Sequence, residues 1–249
     1  MRGAARSWLA APLAVLACSS AEPRAARENP LKDPATIARG QALFADPALS
    51  TLESNPFSCA TCHELAPGES DDAKPGSPLA GATLREGFWN GELGDLLEAV
   101  NVCFTRFMQS NVPLDAADAR AVALYAYLAS LEPGDAEQQP FTIVGLILDV
   151  PRGDAGAGAD VFRRACAPCH GALHRGASRI GTLVPVLPDD AIRLHPGYDA
   201  RSLRLIFVEK ARHGSFLGYP GTMPPFSSEV LSDAAVSDLL EALGALGAD

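Results

Sequence analysis

With 249 residues, 47% of them hydrophobic, the chain has apolar mass for one or two folded domains and is globular. Its formal charge is −10 at pH 7. A field of that sign repels polyanions, which argues against nucleic acid as a partner and favours a basic protein.

The N-terminus carries Arg2 and Arg6, then an apolar run from Trp8 to Ala17, then Cys18. A positive start followed by a short apolar stretch is the pattern of a secretory signal, and the run is far short of the roughly 20 residues a membrane-spanning helix needs. Val15-Leu16-Ala17-Cys18 resembles a bacterial lipobox. That resemblance implies a signal peptide over 1–17 and a lipid on Cys18, and Ser19 then implies an outer membrane facing the periplasm. Residues 18–33, polar and Pro-containing, read as a tether to the membrane.

The next predicted element is a helix around Ile37–Phe44, with Gly40 and Phe44 one turn apart on one face. Cys59-Ala60-Thr61-Cys62-His63 follows, and the same pattern returns as Cys166-Ala167-Pro168-Cys169-His170. Two thiols three positions apart reach both vinyl groups of one haem, and the adjacent imidazole is placed under its iron. A redox dithiol needs no following His, and a zinc knuckle needs further paired ligands. The expected cofactors are therefore two covalently attached haem c groups, held by Cys59, Cys62, Cys166 and Cys169, with His63 and His170 on the irons.

Between the motifs lie a predicted late helix over Ala121–Leu131, capped by the Asp115–Asp118 region, and a breaker-flanked segment with an apolar middle from Phe141 to Val150. That middle is too short to span a membrane and is expected to pack in the seam between two domains. A second unit then repeats the first: Gly158 and Phe162 one turn apart, the second Cys-x-x-Cys-His, and a last helix over Val236–Leu246 that begins at Ser232-Asp233. This order resembles class I cytochrome c domains, in which terminal helices cross at a Gly–aromatic contact. The resemblance implies an all-α fold of two tandem class I cytochrome c domains, 34–132 and 155–249, joined by an apolar-centred linker at 133–154.

Each iron needs a sixth ligand, and a thioether is a common one in cytochromes c. Met223, in the Pro-rich stretch Gly221–Phe226 before the last helix, is the candidate in the second unit, with His213, His195 and His174 as substitutes. The first unit offers two sulfurs, Cys103 and Met108. Five apart on a regular helix, they would point in different directions, so only one should meet the iron.

Asn101-Val102-Cys103-Phe104-Thr105-Arg106-Phe107-Met108, with Ser58–His63 and Gly76–Gly81, resembles dihaem thiosulfate dehydrogenases and the haem subunit of the sulfur-oxidising complex. The resemblance covers about residues 34–131. It implies that Cys103 ligates the first iron as a thiolate and that Arg106, one helical turn along, holds a sulfur oxyanion, the two being catalytic if the protein is an enzyme. Near this segment the cations are Arg85 and Arg106.

The expected function is single-electron transfer outside the cytoplasm to a redox protein with a basic docking face. The alternative is a sulfur-compound oxidoreductase with a His/Cys-ligated catalytic first haem. A dihaem peroxidase would need an open iron and a distal acid–base residue. The sequence marks none clearly.

Overall fold

The structure is a computed structural model and describes residues 29–131, 136–145, 151–214 and 221–244. The expected signal peptide, Cys18 and most of the tether lie outside the described residues. Among those residues the architecture is all-α, without strands; an isolated bridge pairs Phe88 with Leu93. The helices are α1 (Pro34–Ala45), α2 (Cys59–Cys62), α3 (Leu96–Val102), α4 (Ala119–Ser130), α5 (Ala155–Val161), α6 (Ala167–His170), α7 (Asp189–Leu194), α8 (Ala200–His213) and α9 (Asp233–Ala242). Two turns of wider π-helix, Cys103–Phe107 and Phe162–Cys166, interrupt this order.

Helix starts follow from local chemistry. Asp33, with Pro34 next to it, accepts from the Thr36 amide at 2.9 Å and opens α1. Asp118 accepts from the Arg120 amide at 2.8 Å at the start of α4, and Ser232 accepts from the Ala235 amide at 3.2 Å at the start of α9. Each such cap satisfies an amide that the helix itself leaves unpaired, at about 1 kcal/mol.

Two helix crossings organise the described core. α1 packs on α4, and α5 packs on α9. In each pair a glycine sits at the point of closest approach: a Cβ at Gly40 would collide with the Ala123 carbonyl oxygen, and one at Gly158 with that of Asp238. Phe44 then lies against Tyr127, ring centroids 5.7 Å apart. The Gly–Phe spacing thus has a packing cause in both units, since the glycine lets the backbones touch and the aromatic ring fills the space one turn on.

The buried side chains form one cluster around Phe44, Phe104, Leu124 and Tyr127, and another around Phe162, Phe207, Val208, Val236 and Leu240. Arg212, fully buried on α8, donates to the Leu231 carbonyl at 2.5 Å and pairs with Asp233 at 2.6 Å, tying α8 to the start of α9. The two halves also meet. The Ala73 amide donates to the Arg164 carbonyl at 2.9 Å, Arg164 Nε donates to the Asp71 carbonyl at 2.9 Å, and Arg163 pairs with Asp71 at 2.8 Å.

Residues 136–145 bond to both halves, while 146–150, the rest of the expected linker's apolar middle, lie outside the described residues. Thr142 donates its amide to Glu229 at 2.9 Å and accepts from Ser228 at 3.1 Å; the Val144 carbonyl meets His213 Nε2. Phe141 packs edge-on against Trp89 at 5.0 Å.

Candidate functional site

The first Cys-x-x-Cys-His segment starts at a capping box, in which Ser58 and Thr61 bond reciprocally, the Ser58 amide donating to Thr61 Oγ1 at 3.0 Å. The single turn of α2 follows, and Lys74 Nζ donates to the Ala60 carbonyl at 2.8 Å and the His63 carbonyl at 3.3 Å. A cation at the carbonyl end of a short helix is favoured by the helix dipole. His63 Nδ1 lies 2.8 Å from the Ser77 carbonyl oxygen. A carbonyl only accepts, so Nδ1 carries the proton and Nε2 keeps the lone pair that binds a metal.

Cys59, Cys62 and His63 line one cavity with an empty volume of about 1300 Å³, open to solvent. Its walls are largely apolar, from Phe44, Leu49, Phe57, Phe88, Leu124 and Leu128, with Trp89 and Phe141 at one side. Cys103 and Met108 line the same cavity.

Burial raises the thiols here: Cys59 to about 11 and Cys103 to about 12. Cys62 is pushed higher, by burial first and then by the neighbouring sulfurs of Cys103, Cys169 and Cys59. Without an attached group these cysteines are therefore neutral, inert thiols at pH 7. Burial also lowers the pKa of His63, which keeps its imidazole neutral and fit for a metal.

The donor set fits haem c. It combines a largely apolar cavity, two thiols on one turn, an imidazole with its proton fixed on the far nitrogen, and two further sulfurs, of Cys103 and Met108, on the same wall.

The second segment repeats the geometry. His170 Nδ1 lies 2.8 Å from the Pro185 carbonyl oxygen, and burial lowers the pKa of this His too. Cys166 is buried and its thiol raised to about 12. Met223 packs against the same apolar cluster as Cys166 and Leu187. The other histidines are engaged elsewhere. His174 meets Asp189 at 2.9 Å on the surface, His195 Nδ1 lies 2.7 Å from the Ala191 carbonyl, and His213 is bound by Glu209 at 2.5 Å and by Val144.

Cys169 packs against the first cluster rather than the second, as does Ile180, whose amide donates to the Cys169 carbonyl at 3.0 Å. The two Cys-x-x-Cys-His segments therefore adjoin, Cys59, Ala60 and Cys169 packing against one apolar cluster. Pro224 and Pro225, next to Met223, line the first cavity.

Two placements differ from sequence reasoning. Cys103 to Phe107 forms a π turn rather than a regular helix, the Met108 amide bonding the Cys103 carbonyl at 3.1 Å. This wider turn aligns residues five apart, which is why both sulfurs reach the cavity. For the same reason Arg106, three past Cys103, is exposed and does not line the cavity, whereas Arg85 does, donating to the Pro78 and Ala80 carbonyls at 2.9 and 3.0 Å. Sequence reasoning also missed Trp89. Its left-handed backbone (φ 53°), uncommon outside glycine, turns the ring onto Phe107 at 6.3 Å.

Among solved structures the chain is similar to thiosulfate dehydrogenase (TsdBA) from Marichromatium purpuratum in its as-isolated form, at 18% identity and a TM-score of 0.40. That likeness covers 89% of this chain and 48% of the other, so the chain spans about half the length of this relative. No curated protein matches the chain. Residues 153–241 match the family model described as cytochrome c oxidase, cbb3-type, subunit III. The segment bearing Cys166, Cys169 and His170 is thus supported as a cytochrome c domain, with covalent haem c, its iron and electron transfer as the implied chemistry.

Proposed function

We propose that the chain is a dihaem c-type cytochrome that carries single electrons outside the cytoplasm. The observation that carries this reading is the duplicated imidazole geometry: His63 on Ser77 and His170 on Pro185, each at 2.8 Å, each following a Cys-x-x-Cys pair. Bound haem supplies one-electron chemistry at iron.

In this reading Cys59, Cys62, Cys166 and Cys169 hold the two groups, and His63 and His170 give each iron an imidazole whose far nitrogen is fixed by a carbonyl. Met223 completes the second site. The apolar walls of the first site favour the less charged ferrous state. Cys59 and Cys169, packed against one apolar cluster, bring the two sites together for transfer between them. We further propose that Cys18 is lipid-anchored on the periplasmic side of an outer membrane and that the acidic surface steers a basic redox protein.

The experiment is stopped-flow oxidation of the reduced protein by a small basic c-type cytochrome, across ionic strengths. Carrier function gives fast transfer that slows as salt rises. Salt-independent or absent transfer counts against it.

A second reading, sulfur-compound oxidation at the first haem, is favoured by Cys103 lining the cavity with His63. Arg85, rather than Arg106, is the cation on that wall. Reduction of the protein by thiosulfate alone, lost in Cys103→Ser, would select it.

A further inference from the structure

A π turn at a cavity wall is unusual enough to ask what it does, because such turns are short, uncommon and concentrated at functional sites. Here it spans Cys103–Phe107 and closes with the Met108 amide on the Cys103 carbonyl at 3.1 Å. On a regular helix these two residues would lie on different faces. The wider turn stacks them, and both line the cavity that His63 lines.

The backbone around them is firmly held. Phe104 and Phe107 are buried, the Met108 carbonyl accepts from Ser50 Oγ at 2.7 Å, and the Ser110 amide donates to the Phe104 carbonyl at 3.0 Å. Exchange between the two sulfurs is therefore left to their side chains, both of which line the cavity. Met108, unbranched with three rotatable bonds, is suited to that.

We propose that Cys103 and Met108 are alternative sixth ligands to one iron, Cys103 to the ferric and Met108 to the ferrous state, exchanged on the π turn. The inference rests on the reading that His63 and the adjacent thiols hold a haem in this cavity. The chemical reason is charge. A thiolate stabilises the ferric ion, whereas a neutral thioether favours the ferrous one and raises the potential.

One electron enters from an external one-electron reductant. The bond to the Cys103 sulfur breaks, and the thiolate leaves with the electron pair and takes one proton from solvent. A lone pair of the Met108 sulfur then fills the vacant position. The first site is thus a hysteretic redox centre: hard to reduce while Cys103 is bound, hard to reoxidise once Met108 has replaced it.

The test uses the full-length holoprotein and two variants, Met108→Leu and Cys103→Ser, with the bands of the second haem as internal reference for folding. Leu nearly matches Met in volume, so that variant keeps the core. In wild type, fast voltammetry with dithionite-reduced and with oxidised starting material gives two different potentials for the first haem, depending on the direction of approach. Met108→Leu leaves the ferric spectrum unchanged, but its ferrous form becomes five-coordinate and binds carbon monoxide without delay. Cys103→Ser stays low-spin when ferric, with a thioether signature and a raised potential.

A ferrous Met108→Leu protein that remains six-coordinate overturns the exchange, as does a single wild-type potential in both directions or a high-spin ferric Cys103→Ser. Absence of haem mass on the Cys59–Cys62 peptide overturns the haem reading and the exchange together. Haem present with one fixed sulfur ligand overturns the exchange alone.

Discussion

His63 Nδ1 lies 2.8 Å from the Ser77 carbonyl oxygen, and the chain reaches that position through Gly76, where a Cβ would collide with the His63 ring. The imidazole is therefore oriented by a backbone group and by the lack of a side chain next to it. Gly76→Ala is expected to destabilise the fold by about 1–3 kcal/mol through overpacking. It should also alter the spectrum of the first haem and leave the second unchanged. Circular-dichroism melting with optical spectra of both oxidation states checks this; two unchanged haem spectra would show that the ring is held otherwise.

Met223 packs with Cys166 and Leu187 in the second cluster. Met223→His is expected to lower one of the two potentials, because an imidazole favours the ferric ion more than a thioether does. Potentiometric titration is the measurement. If both potentials stay where they were, the second iron takes its ligand from another residue.

At the α5–α9 crossing a methyl group on Gly158 would run into the Asp238 carbonyl. Gly158→Ala should cost about 1–3 kcal/mol, which for a chain of this size corresponds to a drop in Tm of about 2–4 °C per kcal/mol. Calorimetry of the holoprotein measures it. A neutral substitution would mean that the helices separate freely at this point.

Much of this was legible in the sequence because it is local. The Cys-x-x-Cys-His runs, the Gly40–Phe44 and Gly158–Phe162 spacings and the caps at Asp118 and Ser232 each depend on residues within a turn or two of one another. What was not legible depends on chain path. Ser77 and Pro185 act through carbonyls, which every residue has, so residue type carries no signal for them. The π turn has no composition of its own, and without it Cys103 and Met108 diverge and Arg106 is placed on the wrong face. Trp89 and Phe141 meet across more than fifty positions of sequence, and only the folded linker brings them together.

The linker contact has a pH dependence. Burial works to raise the Glu229 carboxyl, but hydrogen bonds, first from Thr142 and then from its own amide and Ser227, outweigh it and hold the pKa at about 2, below the ordinary 4.5. A folded-state pKa lowered in this way gives stability that is complete above about 4.5 and fades as pH falls through about 2. Wild type should therefore melt above Glu229→Gln at pH 6, with the gap closing near pH 2. An equal gap at both pH values would show that the carboxylate charge is not what docks Thr142.

Whether both Cys-x-x-Cys-His segments hold haem is decided by intact mass spectrometry of the protein matured with a competent haem-attachment system. The expected mass lies above the processed chain by two haems, falling by one in a Cys59→Ser/Cys62→Ser variant and by the other in Cys166→Ser/Cys169→Ser. A wild-type mass carrying one haem or none would contradict it.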